Sequence, residues 1–233
     1  MNHFRTVFSN RHVVLPVIHV VNAEQAIRNA TIARDAGADG IFLINHDNLP
    51  HGALLEVYTA VYAAHPDWWI GINCLDLTPI EIFKQAGGRV DGIWVDNGMI
   101  DETKQAQPKA EEVLAVQKEI RWQGLYFGGV AFKYQAQVED VAQAARMAAN
   151  YMDVVTTSGP ATGQAAAPDK IRQMKDELGK RPLAIASGIT PENITNYLPI
   201  ANCFLVATGI STTFDELDPH RTRLLVEIIH KGA

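Results

Sequence analysis

The sequence predicts a single closed (β/α)8 barrel over residues 1–233, on three observations. Eight apolar runs rich in Val and Ile alternate with helix-forming stretches, at a spacing of roughly 25–30 residues that fits such a barrel. The runs lack apolar–polar alternation, as parallel strands covered on both faces do. The pattern also echoes itself: ADGIFLIN at 38–45 is matched by VDGIWVDN at 90–97. A doubly wound open sheet is the rival, but no linker or composition break divides the chain, and eight uninterrupted units favour closure.

Residues 13–20 are the first predicted strand. Asn22 caps the helix that follows, with Gln25 three positions on, and Gly37 stops it. Strand two spans 40–45 and leads to a helix near 54–64; strand three spans 69–74. Thr78-Pro79-Ile80-Glu81 reads as a capping box with proline at the first helical position, and Gly87-Gly88 closes that helix. Strand four is 92–96, followed by a loop over 97–107 and a helix over 108–122. Strand five is 125–132 with a helix over 138–151, and strand six is 153–157 with a loop SGPATGQAAAP and a helix over 169–178. Strand seven is 183–186, after which Thr190 is expected to cap a helix starting at Pro191. Strand eight is 203–207, and Asp218 caps a last helix over 219–230.

Composition narrows the function. A net charge of −6 argues against a nucleic-acid face, which needs a basic patch. Cys74 and Cys203 both lie in apolar runs and offer neither a disulfide framework nor a CxxC metal spacing, so a reducing, cytoplasmic setting is expected. No run resembles a signal-peptide core or a membrane span. Patterns of the GxSxG, GxGxxG and P-loop types are absent, and no cofactor is predicted. Trp68-Trp69 sits at the start of strand three, away from the catalytic face, and is read as packing or a subunit contact.

Chemistry in such a barrel belongs at the C-terminal ends of the strands. In strand four, Ile93 and Val95 should face the helices, turning Trp94 and Asp96 inward; in strand five, Val130 and Phe132 should face out, leaving Gly129, Ala131 and Lys133 inward. Asp96 is the candidate base and Lys133 a candidate stabiliser or nucleophilic amine, with a structural ion pair as the bland alternative. Asn73, above the space that Gly71 leaves, is a candidate for orienting substrate. Asp76 is assigned to the turn leading into the Thr78 cap. His19 ends strand one where a general acid would sit. A divalent metal on His19, His46 and Asp47 is the minority alternative, because their spacing matches no metal motif.

Residues 187–211 carry the clearest site signal. Strands seven and eight each end in a hydroxyl–glycine pair, Ser187-Gly188 and Thr208-Gly209, and (β/α)8 barrels hold substrate phosphates after these strands. Ser187, Gly188, Ile189, Thr208, Gly209 and Ile210 are therefore the predicted phosphate grip. Ser158, Gly159, Thr162 and Gly163 add a third wall, because glycines admit close backbone approach and the hydroxyls supply donors.

These motifs resemble the BtpA/SgcQ family of TIM-barrel proteins: GADGI at 37–41, GIN at 71–73, TSGPATG at 157–163, SGITPENI at 187–194 and ATG at 207–209. The resemblance covers most of the chain in the right order. It implies a barrel of the ribulose-phosphate-binding type, in a family named for a role in photosystem I biogenesis and for placement among sugar-metabolism genes. The expected function is an enzyme acting on a sugar phosphate or nucleotide, by isomerase, lyase or phosphoribosyl-transfer chemistry. The alternatives are a non-catalytic assembly factor of the BtpA type and a phosphometabolite-binding regulator. A homodimer is expected.

Overall fold

A computed structural model describes residues 2–232. Its strands are β1 (Val13–His19), β2 (Gly40–Ile44), β3 (Trp69–Asn73), β4 (Gly92–Val95), β5 (Leu125–Gly129), β6 (Val154–Ser158), β7 (Leu183–Ala186) and β8 (Cys203–Val206). All pair in parallel with their sequence neighbours, and β8 pairs with β1, so the sheet closes into a barrel. The helices are α1 (His3–Val7), α2 (Ala23–Asp35), α3 (His51–Ala64), α4 (Pro79–Ala86), α5 (Pro108–Glu119), α6 (Val141–Ala148), α7 (Pro168–Leu178) and α8 (Pro219–Lys231). The chain is a TIM barrel.

Side-chain parity separates two cores. Val13, Leu15 and Val17, Phe42 and Ile44, Leu125 and Phe127, and Cys203 and Leu205 fill the barrel interior. Val14 and Ile18, Ile41 and Leu43, Ile93 and Val95, and Phe204 and Val206 pack beneath the helices. That is the two-sided burial expected of parallel strands. The short helix α1, absent from the sequence-based assignment, stoppers the N-terminal end: Phe8 meets Trp69 edge-on at 5.3 Å and Phe4 meets Phe127 at 6.5 Å.

The internal echo has a physical cause. Asp39, just before β2, accepts the Val14 N–H of β1 at 2.8 Å; Asp91, before β4, accepts the Ile70 N–H of β3 at 2.9 Å. Asp153 does the same for Tyr126 of β5 at 2.9 Å, and Asn202 for Leu183 of β7 at 3.2 Å. One carboxylate or amide per pair of strands thus satisfies a strand-start donor at the closed end. This leaves the opposite end free for loops.

Two elements depart from expectation. No α-helix follows Pro191; the segment makes only a 3-10 turn at Ile194–Asn196. Local side chains win the competition for its backbone: Asn193 accepts from the Thr190 N–H at 2.9 Å and donates to the Gly188 carbonyl at 2.7 Å. Pro199 then forbids a longer helix. Strand five stops at Gly129 rather than at 132, because Ala131 turns to φ +48°. The turn resets the parity, so Phe132 does not face outward but packs inside, 6.1 Å from the Trp94 ring.

Candidate active site

At the C-terminal end of the barrel lies a cavity of about 370 Å³. It is lined by His19, His46, Leu75, Trp94, Asp96 and Lys133, and on its other side by Thr162, Gly163, Ser187, Thr208 and Phe214. A second cavity, of about 410 Å³, lies beside it between the loops after β5 and β6. The first is the candidate site, because the inward strand ends converge there.

The turns after β6, β7 and β8 meet backbone to backbone. Gly188 lies against Ala165, and a Cβ on Gly209 would overlap the Ile189 carbonyl. Ser187 takes φ +87°, which a non-glycine residue adopts at a cost of about 1–3 kcal/mol. Among the described residues, the backbone N–H groups of Gly163, Ser187, Gly188, Thr208 and Gly209 have no protein acceptor. Arg221 clamps two of the turns, donating from Nε to the Gly209 carbonyl at 3.1 Å and pairing with Glu192 at 3.0 Å. Ser158 is held differently. Its side chain is fully buried and accepts the Lys133 N–H at 2.7 Å, so it positions the lysine rather than facing the cavity. Gly159 and Ile210 likewise pack beneath the turns, Ile210 being wholly buried and Gly159 lying against the backbone of residues 164 and 165.

Lys133 and Asp96 do not pair. The Lys133 ammonium donates to Thr162 Oγ1 at 3.1 Å and Ser187 Oγ at 3.3 Å, and so belongs to the glycine-turn side. Asp96, half-buried, accepts from the buried Asn73 amide at 3.0 Å. Burial raises its carboxyl above the usual range, against the opposing pull of Asn73 and Lys133. Its backbone is set by Gly129, where any Cβ would overlap the Asp96 carbonyl, and by the Gln135 amide, which donates to that same oxygen. The space below Asn73 is not open: the Phe42 and Trp69 rings occupy the place of a Gly71 side chain.

His19 lines the cavity as a wall. Its ring stacks on Phe214, centroids 3.9 Å apart and 16° from parallel. Its Nδ1 lies 3.0 Å from the Phe214 carbonyl and therefore carries the proton. Burial pulls its pKa below 6.5, outweighing the carbonyl, so the ring is neutral at pH 7 and ill suited to donate as an imidazolium. His46 stands edge-on to His19 at 5.5 Å; its nitrogens lie 2.9 Å from Asp47 and 3.3 Å from Asp215, but neither contact has hydrogen-bond geometry. Asp47 projects into solvent, and among the described residues no three His, Cys, Asp or Glu side chains converge as a metal needs. Asp76 lies in the turn closed by the Leu77 N–H on the Cys74 carbonyl, but its side chain reaches out of it, accepting from Asn45 at 2.7 Å and from the His51 backbone N–H at 2.9 Å at the start of α3.

Sequence reasoning missed Phe214, Tyr134, Leu75 and Lys170. The first three are large exposed apolar groups in polar loops, a signal present in the chain but silent about where those loops meet. Lys170, in the first turn of α7, donates to the Ala131 carbonyl at 2.5 Å and the Ser158 carbonyl at 2.7 Å. Burial lowers its pKa to about 8. It ties together the strand ends that carry Lys133 and the 158–163 loop.

The sequence model of the BtpA family matches residues 70–231. No curated protein matches the sequence significantly. Among solved structures, the chain resembles (S)-3-O-geranylgeranylglyceryl phosphate synthase from Thermoplasma acidophilum in complex with sn-glycerol-1-phosphate, at TM-score 0.69 and 17% identity, covering 98% of this chain and 97% of that one. It also resembles phosphoribosyl anthranilate isomerase from Thermus thermophilus, at TM-score 0.67 and 16% identity over 95% and 100% of the two chains. Thiamine phosphate pyrophosphorylase from Pyrococcus furiosus follows at TM-score 0.65 and 13% identity over 95% and 97%. Likeness at these identities establishes the shared barrel.

Proposed function

This chain belongs to the BtpA family, and we propose that it is an enzyme acting on a phosphorylated small molecule. The observation that carries this reading is that the turns after β6, β7 and β8 meet on the side where the Lys133 ammonium sits; among the described residues their N–H groups at Gly163, Ser187, Gly188, Thr208 and Gly209 have no protein acceptor, and Gly163, Ser187 and Thr208 line the cavity. Backbone donors plus one fixed cation are what a phosphate monoester needs, since its oxygens accept several bonds at once and carry the charge. The strand ends that make the grip are those that hold phosphate in many barrels of this kind. The barrels it resembles include proteins named for phosphorylated compounds, in keeping with the same use here.

The reacting end would then extend toward Asp96 and Asn73. A carboxylate raised by burial is a better base near neutral pH than an exposed one, and the Asn73 amide fixes its orientation. This supports general-base chemistry, the step shared by isomerisation and aldol-type cleavage, over a purely scaffolding role. A phosphate gripped at a distance supplies binding energy that orients the reacting end.

Thermal shift tests the grip. Inorganic phosphate and ribose 5-phosphate should raise the melting temperature of the wild-type protein; a ligand at 100 times its Kd adds about 2.7 kcal/mol. Lys133→Met should abolish most of that shift, because a bond to a charged group contributes roughly 1.5–3 kcal/mol. No shift with any phosphorylated compound would remove the reading.

A further inference from the structure

Of the large apolar side chains left exposed, three converge on the mouth cavity from three different loops: Leu75 at 51% exposure, Tyr134 at 77% and Phe214 at 47%. Single exposed apolar residues are ordinary, but three gathered around one concave site mark a surface that meets a ligand. The wall they form is built in advance. The segment carrying Phe214 folds back on itself, with the Thr212 N–H donating to the Glu216 carbonyl at 2.8 Å. It is pinned to α2 by Gln25 and Asn29, both donating to the Asp215 carbonyl, at 2.6 and 2.8 Å, and by the Arg28–Glu216 ion pair. Phe214 is thereby held flat on His19 while its ring stays half open to the cavity.

A second observation concerns the walls. Trp94, 4% exposed, adds a further aromatic residue to the lining of the same cavity. The opposite wall, made of glycine turns and Lys133, is polar and cationic. A cavity of about 370 Å³ has room for more than the phosphate, sitting within the usual ~300–1,000 Å³ of small-molecule sites.

We infer that the ligand's end remote from its phosphate is a planar aromatic or heteroaromatic ring, seated against the Phe214–His19 stack. This rests on the phosphate reading for the ligand's other end. A flat neutral wall favours a flat ring over a second charged group, and a fixed stack favours it over a flexible chain, which gains most from a wall that adapts.

Calorimetric titration of the full chain with ribose 5-phosphate, AMP, UMP and geranyl monophosphate, and with adenosine against ribose, tests it. At least one nucleotide should bind roughly tenfold tighter than ribose 5-phosphate, the scale of one ring stacked on an aromatic side chain. Phe214→Ala should bring that nucleotide down to the affinity of ribose 5-phosphate and leave ribose 5-phosphate itself unaltered, whereas Phe214→Tyr should preserve the preference. Nucleotides no tighter than ribose 5-phosphate, an equal loss of both ligands in Phe214→Ala, or a preference for geranyl monophosphate would overturn the inference. If none of the phosphorylated ligands binds, the phosphate reading fails separately. The ring inference then stands on adenosine binding better than ribose in the wild type and not in Phe214→Ala, and falls if the two bind alike.

Discussion

The two halves of the barrel mouth are made of different material. From β6 to β8 the surface is backbone: short turns, glycines in close contact, and N–H groups with no acceptor in the described chain. From β1 to β4 it is side chain: His19, Asn73, Trp94 and Asp96, with Phe214 folded across from the far loop. The first half is chemically generic, and in the proposed function it is the half that takes the phosphate. The second is specific and costly, holding a half-buried carboxylate, a half-buried neutral histidine and an unpartnered indole. In the proposed function, binding energy and chemical discrimination would be separated in space, an arrangement that lets one fold serve many reactions.

The sharpest way to break that division is Asp96→Asn. With a turned-over substrate, the rate should fall by roughly 10²- to 10⁴-fold, the contribution of a positioned base, while phosphate binding is retained. The melting temperature should hold or rise. Burial raises the native carboxyl above its ordinary value of 3.8, so between that value and the raised one the native state holds the extra proton. Stability therefore falls as pH rises through that window, and a neutral amide escapes the loss. A drop in melting temperature with unchanged turnover would make Asp96 structural.

Gly209→Ala attacks the other half. Its Cβ has no place except where the Ile189 carbonyl stands, so the turns must separate. A loss of about 1–3 kcal/mol in chemical denaturation is expected, together with loss of the phosphate-induced thermal shift. An alanine that leaves both unchanged would show that the close contact is dispensable.

Lys170→Met probes the strut between the loops after β5 and β6, on the glycine-turn side. It leaves the Ala131 and Ser158 carbonyls without their ammonium, at a cost of about 1–3 kcal/mol. The pH profile distinguishes this from mere packing loss. With a native pKa of about 8 against an ordinary 10.5, the folded protein sheds this proton first, so wild-type stability gains a contribution as pH rises from about 8 to 10.5. The variant should lack that rise in denaturant midpoints.

The smallest effect belongs to His19. Its native pKa lies below 6.5, so the unfolded chain takes the proton first as pH falls. Stability should decline on acidification from about pH 6.5 through the native value, and His19→Phe, which keeps a ring on Phe214, should flatten that part of the melting profile. A profile unchanged by the substitution would place the acid sensitivity elsewhere.

Most of the fold was legible because its cues are local. Thr78 and Glu81 form the expected capping box, Asn22 and Asp218 cap their helices as read, and the ADG echo marks carboxylates that secure strand starts. The helix expected after Pro191 was lost to Asn193, whose amide takes both a donor and an acceptor from the same turn. Parity carried Trp94 and Asp96 inward correctly but failed at Phe132, where one residue at positive φ resets the count. Glycine and hydroxyl turns announced the backbone half of the mouth. Nothing local announced that Lys133 would reach Thr162 and Ser187 instead of Asp96.

The sequence alone determined a barrel, because periodicity and helix caps act within a few residues of one another. It also determined that strands seven and eight end in hydroxyl–glycine turns. Only the tertiary structure decided which side chains share the cavity, because closure brings β4, β5 and the loop after β8 together from separate stretches of the chain. Phe214 became a wall on His19, and Asp96 became a raised carboxylate beside Asn73, through contacts and burial that exist only once the barrel has closed.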